Sequence, residues 1–313
     1  MPMTLPALLA ALLLAAALSV PAVATAGPAL APLRVTPVEV GIGDQKVAMF
    51  TDDRFTDMGI GHTRLLVPWD ALMSSWQRPA IAEWMAAARE ADVEPLITFG
   101  HSRLEAERRV LPTPSQFRYQ FRQFRKKYPW VRNYATWNEA NHCGEPTCNR
   151  PDIVAAYYRA IKAECASCRV LAAEMLDMPN MVRWVKAFRK AARVEPRFWG
   201  LHNYIDANRF RKTSTMSFIK ATKGEIWLTE TGGIVKRRTK VRVALPESAG
   251  HAARAMRWLF DRLVPLSPRI TRVYLYHWNS STARDSWDSA FIDHKGRARP
   301  SLTVLRNRLL PLP

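Results

Sequence analysis

Two carboxylates in the sequence each close a short, largely apolar run and could work as a pair. Glu139 ends the stretch ATWNE, and Glu230 ends the stretch WLTE. Two facing carboxyl groups can break a glycosidic bond, because one protonates the leaving oxygen while the other attacks or activates water. The protonating group needs a raised pKa, and the other must stay ionised. A separation of ~5–5.5 Å would mean retention of configuration, and ~6.5–9.5 Å inversion.

Other side chains that can hydrogen-bond, titrate or stack stand at the ends of further apolar runs. The candidates are Arg64, His101, Asn138, Glu174, His202, Tyr204 and Trp278. Glu174 is interpreted as a supporting or subsite residue. His277 is interpreted as structural, because alternation along a strand turns it away from Trp278. These residues lie far apart in sequence, so the fold must bring them together.

Short β-rich runs alternate with helix-period segments, which indicates βα units and a parallel sheet. The predicted strands are Val38–Ile42, Thr63–Pro68, Glu94–Phe99, Asn133–Trp137, Arg169–Ala173, Phe198–His202, Glu225–Thr229 and Arg272–Tyr276. The predicted helices include Pro79–Ala91, Pro114–Tyr128, Pro151–Cys165, Pro179–Ala192 and Pro246–Leu263. The crossover near residues 44–60 is the least defined, and residues 215–221 indicate at most a short helix.

Eight strands with interleaved helices predict an α/β fold, a (β/α)8 TIM barrel, as a single domain over residues 35–313. Active sites of such barrels collect at the carboxyl ends of the strands, where the candidate residues stand. The fourth and seventh strands, which carry Glu139 and Glu230, face each other across a barrel. An open doubly wound sheet is the alternative. It is disfavoured because residues 41–44 (GIGD) are too short for a G-x-G-x-x-G phosphate turn.

The Trp137-Asn138-Glu139 motif and Glu230 after an apolar strand resemble the catalytic signatures of clan A glycoside hydrolases. That superfamily consists of retaining (β/α)8 enzymes. The resemblance implies that Glu139 is the acid/base, Glu230 the nucleophile, and Asn138 the ligand of the sugar 2-hydroxyl. Residues 291–300 (FIDHKGRARP) are similar to the D-x-x-G-x-x-R-P stretch that follows the last strand in several clan A families. The resemblance covers about residues 35–310 and does not assign a family within the clan.

The resemblance also implies roles for the residues around the two carboxylates. His202 and Tyr204 match a His-x-Tyr pair in which the tyrosine bonds the nucleophile. Arg64 would keep Glu230 ionised, since a nearby cation lowers a carboxyl pKa. Trp278 would form the platform under the bound sugar. His101 either lines the site or only caps the third strand.

The N-terminus has the features of an export signal. Residues 5–26 are almost wholly apolar, and Ala24-Thr25-Ala26 provides the small residues of a cleavage site. We expect a signal peptide over residues 1–26 and a linker over residues 27–34. An uncleaved anchor is the alternative, because no Lys or Arg precedes the apolar segment. No later segment is apolar enough to span a membrane.

The four cysteines are interpreted through the oxidising compartment that export implies. Local disulfides between Cys143 and Cys148 and between Cys165 and Cys168 are the first expectation, although three connectivities are possible. The same thiols also have a spacing that could hold zinc.

The chain carries 46 Lys and Arg against 27 Asp and Glu, a net charge of +19. Such an excess suits a polyanionic neighbour, here an anionic cell envelope. The run KRRTKVR over residues 236–242 follows the seventh strand. It is either a clamp for acidic sugars or phosphate, or a solvated loop that adheres to the envelope. Nucleic acid is a poor fit, because no reader motif is present.

Taken together, the sequence predicts a secreted or envelope-associated retaining glycosidase that acts on a cell-wall or extracellular polysaccharide. We expect a monomer that needs no metal and no organic cofactor. A non-catalytic barrel that binds envelope glycans is the first alternative. An esterase or phosphatase barrel is the second, although G-x-S-x-G and H-E-x-x-H motifs are absent from the sequence.

Overall fold

A computed structural model describes residues 38–238 and 244–310 of the chain. Eight parallel strands form a closed barrel: β1 (Glu39–Gly43), β2 (His62–Pro68), β3 (Glu94–Gly100), β4 (Asn133–Ala135), β5 (Arg169–Leu176), β6 (Phe198–His202), β7 (Glu225–Thr231) and β9 (Ile270–Tyr276). A separate ribbon pairs β8 (Lys236–Arg237) with β10 (Trp287–Asp288). The predicted leader, the linker and residues 239–242 of the basic run lie outside the described residues.

The barrel closes because the first strand pairs with the last one. Gly41 of β1 aligns with His62 of β2 on one side and with Tyr274 of β9 on the other. The predicted (β/α)8 barrel is therefore confirmed, and the open doubly wound sheet is wrong. Gly41 is required at this seam, because an added Cβ would lie 2.8 Å from the carbonyl oxygen of His62 and from the ring of Tyr274.

Helices surround the barrel and begin where the sequence provides start signals. They are α1 (Asp53–Thr56), α2 (Gln77–Glu90), α3 (Pro114–Lys127), α4 (Pro151–Glu164), α5 (Met181–Ala192), α6 (Tyr204–Asn208), α7 (Thr213–Ala221), α8 (Ala249–Trp258) and α9 (Pro300–Leu309). Thr113 caps α3 in a capping box with Gln116, and Pro114 stands in the first turn. The buried faces of the helices pack on the outer side of the strands, in one continuous apolar core.

Several predicted bounds differ from the structure by a few residues. The crossover after β1 contains only a 3-10 turn, Val47–Met49, and the one-turn helix α1. Strand β4 ends at Ala135 rather than at Trp137, so the ATWNE stretch leaves the sheet before Glu139. The helix predicted from Pro246 begins only at Ala249, where Ser248 caps it, and continues as a π-helical turn over Leu259–Leu263.

Both local disulfides predicted from the cysteine spacing are confirmed. Cys143 bonds Cys148, and Cys165 bonds Cys168, with Cα atoms 4.7 Å and 5.3 Å apart. The zinc interpretation is wrong, since all four sulfurs are used in disulfides. In the described part of the chain, no helix is both long and apolar enough to span a membrane.

The basic run after β7 is not simply a loop. Its first two residues form β8, in which Arg237 pairs with Trp287 and Lys236 with Asp288. Arg299 holds the opposite strand in place by a two-point ion pair with Asp288, at 2.6 and 2.7 Å. The ribbon therefore has a defined position beside the carboxyl ends of the barrel strands.

Candidate active site

Arg64 stands at the centre of the candidate site, with its side chain 1% exposed. Its Nη1 donates to Oε2 of Glu230 at 2.8 Å, and its Nη2 donates to Oδ1 of Asn138 at 2.8 Å. Nε and Nη2 also donate to the two carboxylate oxygens of Glu174, at 2.9 and 2.5 Å. Burial opposes the guanidinium charge, yet the carboxylates of Glu174 and Glu230 raise the pKa of Arg64 above its usual value. A permanent cation thus links three strand ends.

Glu174 of β5 is a third carboxylate of the site, and it is fully buried. It accepts a hydrogen bond from Thr98 at 2.9 Å in addition to those from Arg64. Burial by itself would raise its pKa, but Arg64 and His202 lower it to about 2. Glu174 therefore stays ionised at neutral pH and fixes the orientation of Arg64. Without this carboxylate the guanidinium would lose two of its hydrogen bonds, so the residue holds the site in place.

Glu139 follows β4 in a backbone conformation that non-glycine residues seldom adopt, with φ at 41°. The flanking amides hold it there, since Asn138 N donates to the Phe99 carbonyl and Ala140 N to the Glu174 carbonyl. Such conformations cost free energy and persist where neighbouring structure enforces them, commonly at functional sites. The turn directs the Glu139 side chain to His202 of β6, whose Nδ1 lies 3.2 Å from Oε1.

His202 lies between two carboxylates. Its Nε2 is 3.5 Å from Oε2 of Glu174, opposite the contact with Glu139. Burial disfavours the charged ring, but Glu230, Glu139 and Glu174 raise the pKa of His202 to about 9. Burial also acts to raise the pKa of Glu139, yet the hydrogen bond and charge of His202 outweigh it and lower that pKa. In the site without ligand, the shared proton therefore resides on His202.

Glu230 lies near the end of β7 and is held from two sides. Besides Arg64, the hydroxyl of Tyr204 donates to its Oε1 at 3.2 Å. Burial and the charge of Glu230 raise the pKa of Tyr204 well above its usual value, so the phenol remains a donor. Trp287 of β10 packs edge-on against the Tyr204 ring, with centroids 4.8 Å apart. The ribbon thus contacts the residue that binds Glu230.

The two carboxyl groups singled out from the sequence meet in space. One oxygen of Glu139, one oxygen of Glu230 and a ring nitrogen of His202 all lie within 4.8 Å of one another. The same three groups could surround a metal ion. However, a protonated imidazole has no lone pair for a metal, and Arg64 already neutralises Glu230. The donor set therefore suits acid–base chemistry better than metal binding.

The structure does not bring Trp278 into this cluster. Its ring is 1% exposed, packs edge-on against Phe55 of α1, and donates from Nε1 to Asp52 at 3.0 Å. The main-chain amide of Trp278 donates to Asp44, which draws the chain away from the barrel mouth after β9. The prediction that Trp278 forms a sugar platform is therefore wrong, because a ring enclosed by core residues has no face for a ligand.

His101 stands beside the cluster rather than in it. Its Nδ1 lies 2.8 Å from Oε1 of Glu145, whose other oxygen accepts from Trp137 Nε1 at 3.0 Å. Glu145 belongs to the loop that the Cys143–Cys148 disulfide closes. His101 therefore links the third strand to the loop that follows Glu139.

Tyr276 is a further residue of the candidate site, and its residue type and spacing did not single it out. It is partly exposed at the end of β9, and its ring lies near Gly43 of β1. Burial and the charges of Glu230 and Asp44 raise the pKa of its hydroxyl well above its usual value, while Arg64 acts in the opposite direction. The available signal was its position, because Tyr276 is the last aromatic residue of the predicted strand.

Several solved structures with similar folds are glycoside hydrolases. A structure of two fungal β-1,4-galactanases superposes with a TM-score of 0.62 at 12% identity, over 86% of this chain and 98% of that one. A monomeric β-xylosidase from Caulobacter crescentus CB15 gives 0.59 at 15% identity, over 86% and 67%. A family 39 glycoside hydrolase from Bacteroides cellulosilyticus WH2 gives 0.55 at 14% identity, over 88% and 64%.

The chain thus spans less than two thirds of the length of that family 39 enzyme. No protein-family model matches the sequence, and no curated protein matches it. At these identities the likeness establishes a shared barrel fold, and the chemistry has to be argued from the site itself.

Proposed function

We propose that the protein is a retaining glycoside hydrolase with Glu230 as the nucleophile and Glu139 as the acid/base. The observation that carries the proposal is the separation of the two carboxyl groups, whose nearest oxygens lie within 4.8 Å. Retaining enzymes keep this pair ~5–5.5 Å apart, whereas inverting enzymes leave ~6.5–9.5 Å for a water molecule. The fold of the similar structures supports the same chemistry.

Each step of the double displacement has a group in the site. Glu230 attacks the anomeric carbon as Glu139 protonates the leaving oxygen, which breaks the glycosidic bond and forms a glycosyl ester. Glu139 then takes a proton from water, which attacks the same carbon and releases Glu230. Arg64 and Tyr204 each donate a hydrogen bond to the nucleophile and orient it. Asn138 directs its Oδ1 to Arg64, which leaves its amide N–H groups for a sugar hydroxyl.

The proton for the first step can come from His202. In the free site Glu139 is ionised and His202 is charged, at a distance of 3.2 Å. A bound sugar displaces water from Glu139 and further desolvates the carboxylate, which favours its neutral form. The proton then moves along the single hydrogen bond between His202 and Glu139. This arrangement supplies a protonated Glu139 when substrate is present.

We further propose that the substrate is a polysaccharide outside the cell. The similar structures include, by their names, a β-xylosidase, β-1,4-galactanases and a β-glucuronidase. The predicted export signal and the two disulfides support an oxidising, extracytoplasmic location. A non-catalytic glycan-binding barrel is disfavoured, because binding alone has no use for two opposed carboxylates beside a charged histidine.

Reducing-end release by wild type, Glu230→Gln and Glu83→Gln tests the proposal on a panel of polysaccharides. Glu83 is an exposed carboxylate of α2 and provides the matched control. We expect release by wild type and Glu83→Gln but not by Glu230→Gln. Azide should rescue Glu230→Gly and yield a glycosyl azide of inverted configuration. Loss of activity on chelation, or first-formed product of inverted configuration from wild type, would contradict the proposal.

A further inference from the structure

We propose that the substrate carries acidic groups and that Arg103, on the loop after β3, binds one of them. This inference rests on the proposed function and names the substrate class of the same site. The acidic group is the carboxylate of a uronic acid or a sulfate ester. Both present a pair of negatively charged oxygens that can accept two hydrogen bonds from one guanidinium.

The position of Arg103 is set by a fixed point immediately before it. Ser102 is fully buried and donates from Oγ to Oδ2 of Asp70 at 2.6 Å. The same hydroxyl accepts from the amide of Leu104 at 3.1 Å, on the other side of Arg103. The strand end also adjoins the residue that precedes the acid/base, since a Cβ at Gly100 would lie 3.8 Å from that of Asn138. Arg103 is therefore rooted at the rim of the site.

The guanidinium of Arg103 has no acidic partner among the residues that the structure describes. The side chain is exposed and makes neither a hydrogen bond nor an ion pair with them. The nearest acids in sequence, Glu105 and Glu107, are exposed on the following 3-10 turn and do not pair with it. Its charge lowers the pKa of the Tyr276 hydroxyl, as the charge of Arg64 does, whereas Glu230 raises that pKa. An unpaired cation is therefore present at the same end of the barrel as Tyr276.

The ribbon adds positive charge on the opposite rim. Trp287 joins it to Tyr204, and Lys236 on the neighbouring strand donates to the carbonyl of Ala283 at 2.6 Å. Arg238 is exposed and, over residues 38–238 and 244–310, has no carboxylate within ion-pair distance. The acids nearby are engaged locally: Glu247 accepts from the Arg237 amide, and Asp285 from the amides of Ser281 and Thr282. An anionic sugar chain would meet cations on both sides.

The test measures retention of Glu230→Gln protein in gels that contain defined polysaccharides. The probes are uronate polymers, their carboxyl-reduced derivatives, sulfated polymers and their desulfated derivatives. We expect retention by at least one anionic polymer and its loss when the charged group is removed, which also distinguishes uronate from sulfate. Adding Arg103→Gln should weaken that retention at least about tenfold, the scale of a lost charge-assisted hydrogen bond.

Lys223→Gln in the same background is the matched control. Lys223 is exposed and precedes β7, so it lies at the amino end of the barrel. Its substitution removes the same charge far from the site. The proposal is overturned if a neutral polymer is retained and cleaved best, or if both substitutions weaken retention equally. In either case wild type still cleaves a polymer and the glycosidase assignment stands. If wild type cleaves no polymer and none is retained, both proposals fail.

Discussion

The imidazole of His202 bridges two carboxylates, with Nδ1 3.2 Å from Oε1 of Glu139 and Nε2 3.5 Å from Oε2 of Glu174. The pKa of Glu139 is lowered as a result, whereas an acid catalyst needs a raised one. Glu139 can still act as the acid if the proton resides on His202 in the free protein and moves to Glu139 when a sugar covers the site. The free protein and the complex then differ in where one proton resides.

Removal of the acid should affect substrates according to their leaving groups. Glu139→Ala should lower kcat/KM about 10²–10⁴-fold for an unactivated glycoside and far less for a dinitrophenyl glycoside, whose departure needs no proton. Steady-state rates on both substrates measure the difference. Equal losses on the two substrates would contradict the assignment of Glu139 as the acid.

His202 should make the stability of the protein depend on alkaline pH. Its pKa is raised to about 9, so its stabilising charge is fully present below its ordinary pKa of ~6.5 and is lost as pH rises through 9. We expect the free energy of unfolding to decline over this window, by on the order of 3 kcal/mol. Denaturant titrations at several pH values measure it. In His202→Gln the decline should be much smaller, and a decline parallel to wild type would contradict the prediction.

Arg64 and Glu174 should be energetically coupled. Arg64→Met leaves Glu174 buried without its cation, which should cost about 3–5 kcal/mol of stability. Adding Glu174→Gln removes the uncompensated charge, so the double variant should be more stable than the sum of the single effects implies. Urea titrations of the four proteins complete the cycle. Additive effects would mean that the ion pair does not organise the site.

Substitution of Trp278 should lower stability, whereas substitution of Tyr276 should lower activity. Trp278→Phe removes a core indole and its hydrogen bond to Asp52, and should cost roughly 1–3 kcal/mol of stability with kcat/KM nearly unchanged. Tyr276→Ala should instead lower kcat/KM about tenfold, through lost contact with the sugar. Thermal melts and kinetics on the same samples separate the two effects. A kinetic loss confined to Trp278→Phe would restore Trp278 as the platform.

The sequence by itself determined the barrel and the residue types at its mouth. Both follow from local patterns, because apolar runs followed by helix-period segments can bury their faces only as βα units. The bonding of Cys143 to Cys148 and of Cys165 to Cys168 was also predictable, since such short loops close easily. Glu139 follows the fourth strand and Glu230 lies near the end of the seventh, so the two stand on facing sides once the barrel is assumed.

Only the tertiary structure decided which of these residues share contacts. Trp278 and Tyr276 are two residues apart in sequence. The hydrogen bond from the Trp278 amide to Asp44 holds Trp278 in the core, whereas Tyr276 lies at the barrel mouth. The charge of His202 depends on carboxylates from three other strand ends, which no local pattern encodes. The same holds for the ribbon that joins Lys236 to Asp288. Such pairings arise from distances between segments remote in sequence, and those distances exist only after the barrel closes.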